Sequence, residues 1–177
     1  MAYEEPDYTV LAETVEYEIR KYAEHIVAEV NVGGGMGESG NSAFRILAGY
    51  IFGNNTEEEE MNMTAPVESR RAEESGYTYA FMMERKYTLD TLPEPNDPRI
   101  RLIKRPSRIM AVRQYSGSWR EANYRENAAA LLEALEADKK EHSGSLVLAR
   151  YDSPFTPWFM KRNEIMVELT PSDENAL

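Results

Sequence analysis

Few groupings in this 177-residue chain combine the residue types and spacing that chemistry needs. Gly35-Met-Gly-Glu-Ser-Gly40 matches the glycine pattern of a dinucleotide-binding loop, and Glu57 to Glu60 stand about 20 positions on, where such a site uses a carboxylate for a ribose hydroxyl. The strand ahead of it alternates polar and apolar, whereas that fingerprint needs a buried parallel strand. The run is therefore read as a glycine-rich loop, Gly33 to Gly40, whose backbone donors at the start of the next helix could still meet a ligand carboxylate. Lys21, if the strand from Val15 keeps its alternation, shares a face with Val15, Tyr17 and Ile19 and points inward, either snorkelling or pairing with a ligand carboxylate.

The two imidazoles are less promising. His25 falls on the face of Val27, Glu29 and Asn31 and is expected in solvent; His142 is expected at the far end of the second helix, where a cation complements the dipole. Met61, Met63, Met82, Met83, Met110 and Met166 read as core fillers. Glu164 or Glu168, in the final strand, is a candidate for a carboxylate in a pocket. Pro154 and Pro157 stiffen a loop bearing Phe155, Trp158 and Phe159, suited to covering a pocket or meeting a partner. No nucleophile elbow, Walker loop or zinc-helix motif occurs, so no catalytic residues are assigned and an enzyme is not expected.

Composition narrows the classes further. There is no cysteine, which removes disulfides, zinc–thiolate sites and thiol catalysis. A formal net charge of −11, from 31 acidic and 20 basic residues, opposes a broad grip on nucleic acid or anionic lipid. No stretch approaches the ~20 apolar residues of a membrane helix, and the acidic start lacks the pattern of a secretory signal. A cytoplasmic protein without nucleic-acid or membrane partners is expected.

The elements that must position these residues form a duplicated order. Thr14 to Val32 alternates as strand, with a bend near Tyr22, and Asn41 to Phe52 carries Phe44, Leu47, Ala48 and Ile51 on one helical stripe. Asn62 to Ser69 and Tyr77 to Met83 read as strands, and the prolines between Leu92 and Arg99 make a connector. Ile100 to Lys104 and Ile109 to Tyr115 are strands again. Ser118-Trp-Arg-Glu121 has the pattern of a capping box opening a helix with Tyr124, Ala128, Leu131, Leu132 and Leu135 inward. Gly144 marks the region of that helix's end, and Leu146 to Tyr151 and Glu164 to Leu169 are the last strands. Two strand-helix-strand-strand units favour an α+β fold with antiparallel sheet over a doubly wound one.

Three segments also carry a family likeness: Ala43-Phe-Arg-Ile-Leu-Ala-Gly-Tyr-Ile-Phe-Gly-Asn-Asn55, Met61-Asn-Met-Thr-Ala-Pro-Val67 and Tyr151-Asp-Ser-Pro-Phe-Thr-Pro-Trp-Phe-Met-Lys-Arg-Asn-Glu164. In this order they resemble the SOUL haem-binding protein family, and the resemblance runs from about Val15 to Leu169. It implies one domain over 1–177 with short flexible termini at about 1–13 and 171–177. It also implies a curved antiparallel sheet or distorted β-barrel flanked by two helices, similar to effector-binding domains of the gyrase-inhibitor-like family.

The function implied is non-covalent binding of haem or another tetrapyrrole, as a carrier or buffer, in an apolar cleft beside the first helix. Phe44, Leu47, Ala48 and Ile51 would contact the ring, with Arg45 and Lys21 near its propionates. Every amphipathic helix must bury such a stripe, so the same residues also suit plain packing on the sheet. Where the haem-ligated SOUL protein has a histidine, within Tyr-Glu-Ile-Arg-His-Tyr, this chain reads Tyr17-Glu18-Ile19-Arg20-Lys21-Tyr22, so the resemblance supplies no axial ligand and no metal-binding residue. The alternatives are an effector-binding module that takes cationic or amphipathic small molecules at an acidic pocket including Glu164, and an interaction module acting through Phe155 to Phe159.

Overall fold

The computed structural model describes residues 2–170. Among them the chain forms, in order, β1 (Tyr8–Glu13), β2 (Glu18–Tyr22), β3 (His25–Val32), α1 (Met36–Ile51), β4 (Val67–Arg71), β5 (Tyr77–Met82), β6 (Arg101–Arg105), β7 (Arg108–Tyr115), α2 (Glu121–Ala137), β8 (His142–Arg150), a 3-10 turn (Trp158–Met160) and β9 (Asn163–Leu169). The fold is α+β with antiparallel strand pairing, as the sequence order implies. Contacts gather into two compact units, the first made of the residues up to Pro6 and Glu24–Pro106, the second of Asp7–Ala23 and the residues from Ser107 onward.

In the first unit β4, β5, β3 and β6 pair side by side, every neighbour antiparallel. Alternation along β3 and β5 sends Ala28, Val30, Tyr79 and Phe81 to one face, where α1 buries Ala43, Leu47, Tyr50 and Ile51 against them. The opposite face carries Glu29 and Glu68, both in register with Ala80. The α1 helix begins at Met36, inside the Gly33 to Gly40 run expected to be a loop. Tertiary bonds explain the gain: the Ser39 hydroxyl donates to the Gly35 carbonyl at 2.8 Å and lies 2.8 Å from the Tyr79 hydroxyl, which itself donates to Met36 O at 3.0 Å. At its other end Gly53, with φ +111°, reverses the chain while Asn54 N–H donates to Gly49 O.

In the second unit the order is β1, β2, β7, β9, β8, again antiparallel throughout. Residues Tyr8–Glu13, expected to belong to a flexible terminus, form β1 and pair with β2; positions 171–177 lie outside the described residues. The α2 helix contacts β7 and β9 through a buried line of Ala128, Leu131 and Leu135.

Three local readings change here. Ser118 does not cap α2, whose N-cap is Arg120; instead Asn123 Nδ2 donates to the carbonyls of Ser118 and Ser116 and ties down the approach. The helix closes at Ala137 with Lys139 at φ +55°, its N–H on Glu136 O and the N–H of Lys140 on Leu135 O. Gly144, φ +76°, lies in β8 within the register shift between Ser143 and Val147, and His142 opens that strand as an exposed residue.

The β4–β5 turn is the most constrained. Gly76 has φ +78°, and a Cβ there would stand 2.2 Å from the Val32 carbonyl oxygen. Backbone cannot yield as a side chain would, so Gly76→Ala should destabilise the protein by about 2 kcal/mol or more in urea unfolding. A loss below about 0.5 kcal/mol would show that the turn can relax.

Candidate functional site

The residues proposed to meet a ligand ring divide by burial. Leu47 and Ile51 are 0% exposed, and Ala48 is nearly as buried, so the first two serve as the packed underside of α1. Phe44 is 48% exposed, with its ring 5.6 Å from that of Phe81, and Phe52 is 60% exposed. Phe44 on α1 and Phe52, the C-cap just past its end, thus keep open apolar surface on either side of buried Ala48, with Arg45 exposed next to Phe44. Burial removes water from most large apolar side chains, so two half-exposed phenylalanines toward the same end of one helix mark apolar surface left without a partner.

Lys21 does not point into a core. Val15 is fully exposed, and β2 buries Ile19 on one side and Arg20 and Tyr22 on the other. Lys21 is exposed at the rim of a hollow of about 360 Å3, with Ser107, Arg108, Ile109, Ser143 and Thr170 in its wall. Glu168, also exposed, lines the same hollow. In the first unit a second hollow, about 470 Å3, is lined by Ile26, Met83, Tyr87, Leu89, Lys104 and His25, the last half-buried rather than in open solvent.

The strongest polar cluster was not anticipated. Simple alternation placed Arg20 outward, yet it is 2% exposed and its guanidinium reaches over β7 to Glu164 on β9, which is 0% exposed. Arg20 Nη1 donates to Glu164 Oε1 at 3.0 Å and to the Tyr22 hydroxyl at 3.1 Å, and Nε donates to Glu18 at 2.6 Å. Glu164 also accepts from the Tyr151 hydroxyl at 2.7 Å and from Arg162 Nη2 at 3.1 Å. Burial, then the Glu164 charge, pushes the Tyr22 and Tyr151 phenols well above their ordinary values, keeping both as donors. Burial alone would lower Arg20, but the Glu164 charge and the hydrogen bonds that Arg20 donates to Tyr22 and Glu18 hold it above its ordinary value. The carboxylate that a cation-binding reading needs is thus already neutralised by the chain's own arginines.

The proline-stiffened loop is anchored from below. Arg162 N–H donates to the Asp152 carboxylate, Lys161 Nζ donates to Pro154 O at 3.3 Å and sits 3.8 Å above the Trp119 ring, and Trp119 Nε1 donates to Asn163 at 2.9 Å. Phe155, Trp158, Phe159 and Met160 consequently stand exposed on a held backbone.

The model of the family described as SOUL heme-binding protein matches residues 3–168. Heme-binding protein 1 of Xenopus laevis is 29% identical over 164 residues, covering 84% of this chain and 85% of the relative. A structure described as a hydrolase from Listeria innocua superposes with a TM-score of 0.63 at 12% identity, over 90% of this chain and 94% of that one. The EcmrR C-terminal domain gives 0.62 at 11% identity, over 92% and 98%. At such identities these two likenesses are of fold alone. Among the described residues no helix is long and apolar enough to cross a membrane.

Removing one partner of a buried ion pair leaves the other charge uncompensated. Glu164→Gln should therefore cost about 3 kcal/mol or more in denaturant unfolding, against about 1–2 for Tyr151→Phe, which deletes one hydrogen bond. Equal, small losses for both would show that the cluster is hydrated in solution.

Proposed function

The chain belongs to the SOUL haem-binding protein family, and from that premise we propose that it binds haem or another tetrapyrrole without covalent attachment and without catalysis, as a carrier or buffer. The observation that carries the reading is the open apolar surface at Phe44 and Phe52. Phe44 and Phe52 offer exposed aromatic surface to a planar macrocycle, Ala48 between them is buried and adds only a small edge, and the exposed Arg45 guanidinium is a partner for a propionate carboxylate. Leu47 and Ile51 take part from beneath, by fixing the helix on β3 and β5.

Lys21 stands where the resemblance places an axial histidine. A protonated ammonium is a partner for a carboxylate and a poor ligand for iron. The haem chemistry supported here is retention and release of the macrocycle, in which this chain stacks on the ring and neutralises its acid groups. Net charge of −11 further favours a small ligand over nucleic acid as the partner. The alternative of a cation-binding effector module finds no open carboxylate at Glu164, which Arg20, Arg162 and Tyr151 already saturate.

Titration of the purified protein with haemin, followed by the Soret band together with quenching of Trp119 and Trp158, tests the proposal. Saturable one-to-one binding, weakened at least about tenfold by Phe44→Asp with the far-UV spectrum unchanged, is expected, since an aspartate would meet the ring with unpaired charge. Lys21→His, which puts back the histidine of the haem-ligated SOUL protein, is titrated alongside, and a red-shifted Soret band gained only in that variant would be the sign of iron coordination. Native affinity in Phe44→Asp would remove this surface from the account, and no saturable binding by any of the three proteins would remove the ligand.

A further inference from the structure

In the second unit the groups around the Arg20 guanidinium are those that recognise an organic cation. Two carboxylates, Glu18 and Glu164, accept from its Nε and Nη1; the Tyr22 hydroxyl accepts a further bond; and Cζ stands over the Tyr8 ring, 4.3 Å from its centroid. Carboxylates combined with an aromatic face are how delocalised or quaternary cations are bound. We propose that this is an organic-cation site whose occupant is the chain's own Arg20, making Arg20 the residue that excludes external cations.

Two features separate this from an ordinary buried ion pair. The first is charge. Glu18 and Glu164 carry two negative charges, balanced by Arg20 and Arg162. Truncating Arg20 leaves one uncompensated negative charge and a space shaped to one guanidinium, while Arg162 and Tyr151 keep Glu164 in place. The second is position. Tyr8, the aromatic floor, belongs to β1, which pairs only with β2 in this sheet and is exposed along most of its length; Tyr8 itself is 37% exposed. The site is thus bordered by two partly exposed residues, Tyr8 and Glu18, while Arg20 itself is buried. The native protein is expected to ignore such cations at this site. This inference stands independently of what binds on α1.

The test is chemical rescue of Arg20→Ala in the full chain, reading the melting temperature against added propylguanidinium, with propylurea as the neutral isostere. Propylguanidinium should stabilise the variant saturably, with at least about tenfold tighter binding than propylurea, the factor expected of charge-assisted bonds over neutral ones. The rescue should vanish in Arg20→Ala/Glu164→Gln, and the native protein should respond to neither compound. If Arg20→Ala does not fold alone, refolding in propylguanidinium but not propylurea supports the proposal, and failure in both overturns it. Equal responses to the two compounds, or Glu164-dependent binding of the cation by the native protein, also overturn it.

Discussion

A carboxylate with no exposed surface must be neutralised or protonated, and much of the second unit is organised around neutralising Glu164, the second residue of β9. Arg20 supplies one charge from β2, Arg162 another from the loop end, and Tyr22 and Tyr151 stay protonated because burial and that same carboxylate oppose their ionisation. The cost of removing these charges from water is met only while every partner keeps its geometry. Hence β1, whose Tyr8 covers the guanidinium, and the loop leading into β9 belong to the same cooperative arrangement. The first unit repeats the theme with different residues: Glu29 and Glu68 lie on the face away from α1, held by Arg70, Arg101 and Arg105. In each unit one face of the sheet packs on a helix and the other contains buried, paired charge.

That division explains why the ligand reading rests on α1 and not on a sheet face. The charged faces are already satisfied internally, and the inner line of α1 is spent on the core. Exposed aromatic surface is left at Phe44 and Phe52 by α1 and in the Phe155 to Met160 loop, which Trp119, Lys161 and Asp152 anchor, besides the apolar residues exposed along β1 and at Leu89. Residues that stay apolar and exposed on a fixed backbone are better guides to ligand contact than residues that are simply apolar.

The regular elements were legible because their periodicity follows directly from one face meeting a core. The β5, β7 and β9 strands and Leu47, Ala48 and Ile51 of the helical stripe stand close to where alternation or 3.6-residue spacing puts them, whereas Phe44 of that stripe is half-exposed. The same rule failed at Arg20 and Lys21, since it assumes that polar residues seek water; a buried arginine with two carboxylate partners looks like a surface residue in sequence. β1 was missed because its residues are mostly exposed and the strand exists through pairing with β2. Early glycines concealed the first turn of α1, which depends on Ser39 and Tyr79, 40 positions apart. Gly144 was read as a helix stop, although its positive φ serves a bulge in β8. Arg20 with Glu164 and Ser39 with Tyr79 involve partners distant in sequence, which local pattern does not carry; β1 is instead a local hairpin partner of β2 whose exposed residues show no buried face.

The central claim, that a tetrapyrrole rests against α1 at Phe44 and Phe52, is tested most directly by amide chemical-shift mapping with metal-free protoporphyrin IX, whose ring current marks nearby nuclei without involving iron coordination. The account predicts saturating perturbations centred on Phe44, Arg45, Ala48 and Phe52, with the Arg20–Glu164 cluster unshifted. Perturbations centred instead on the hollow lined by His25 and Tyr87, or on the charged cluster with α1 silent, would contradict it.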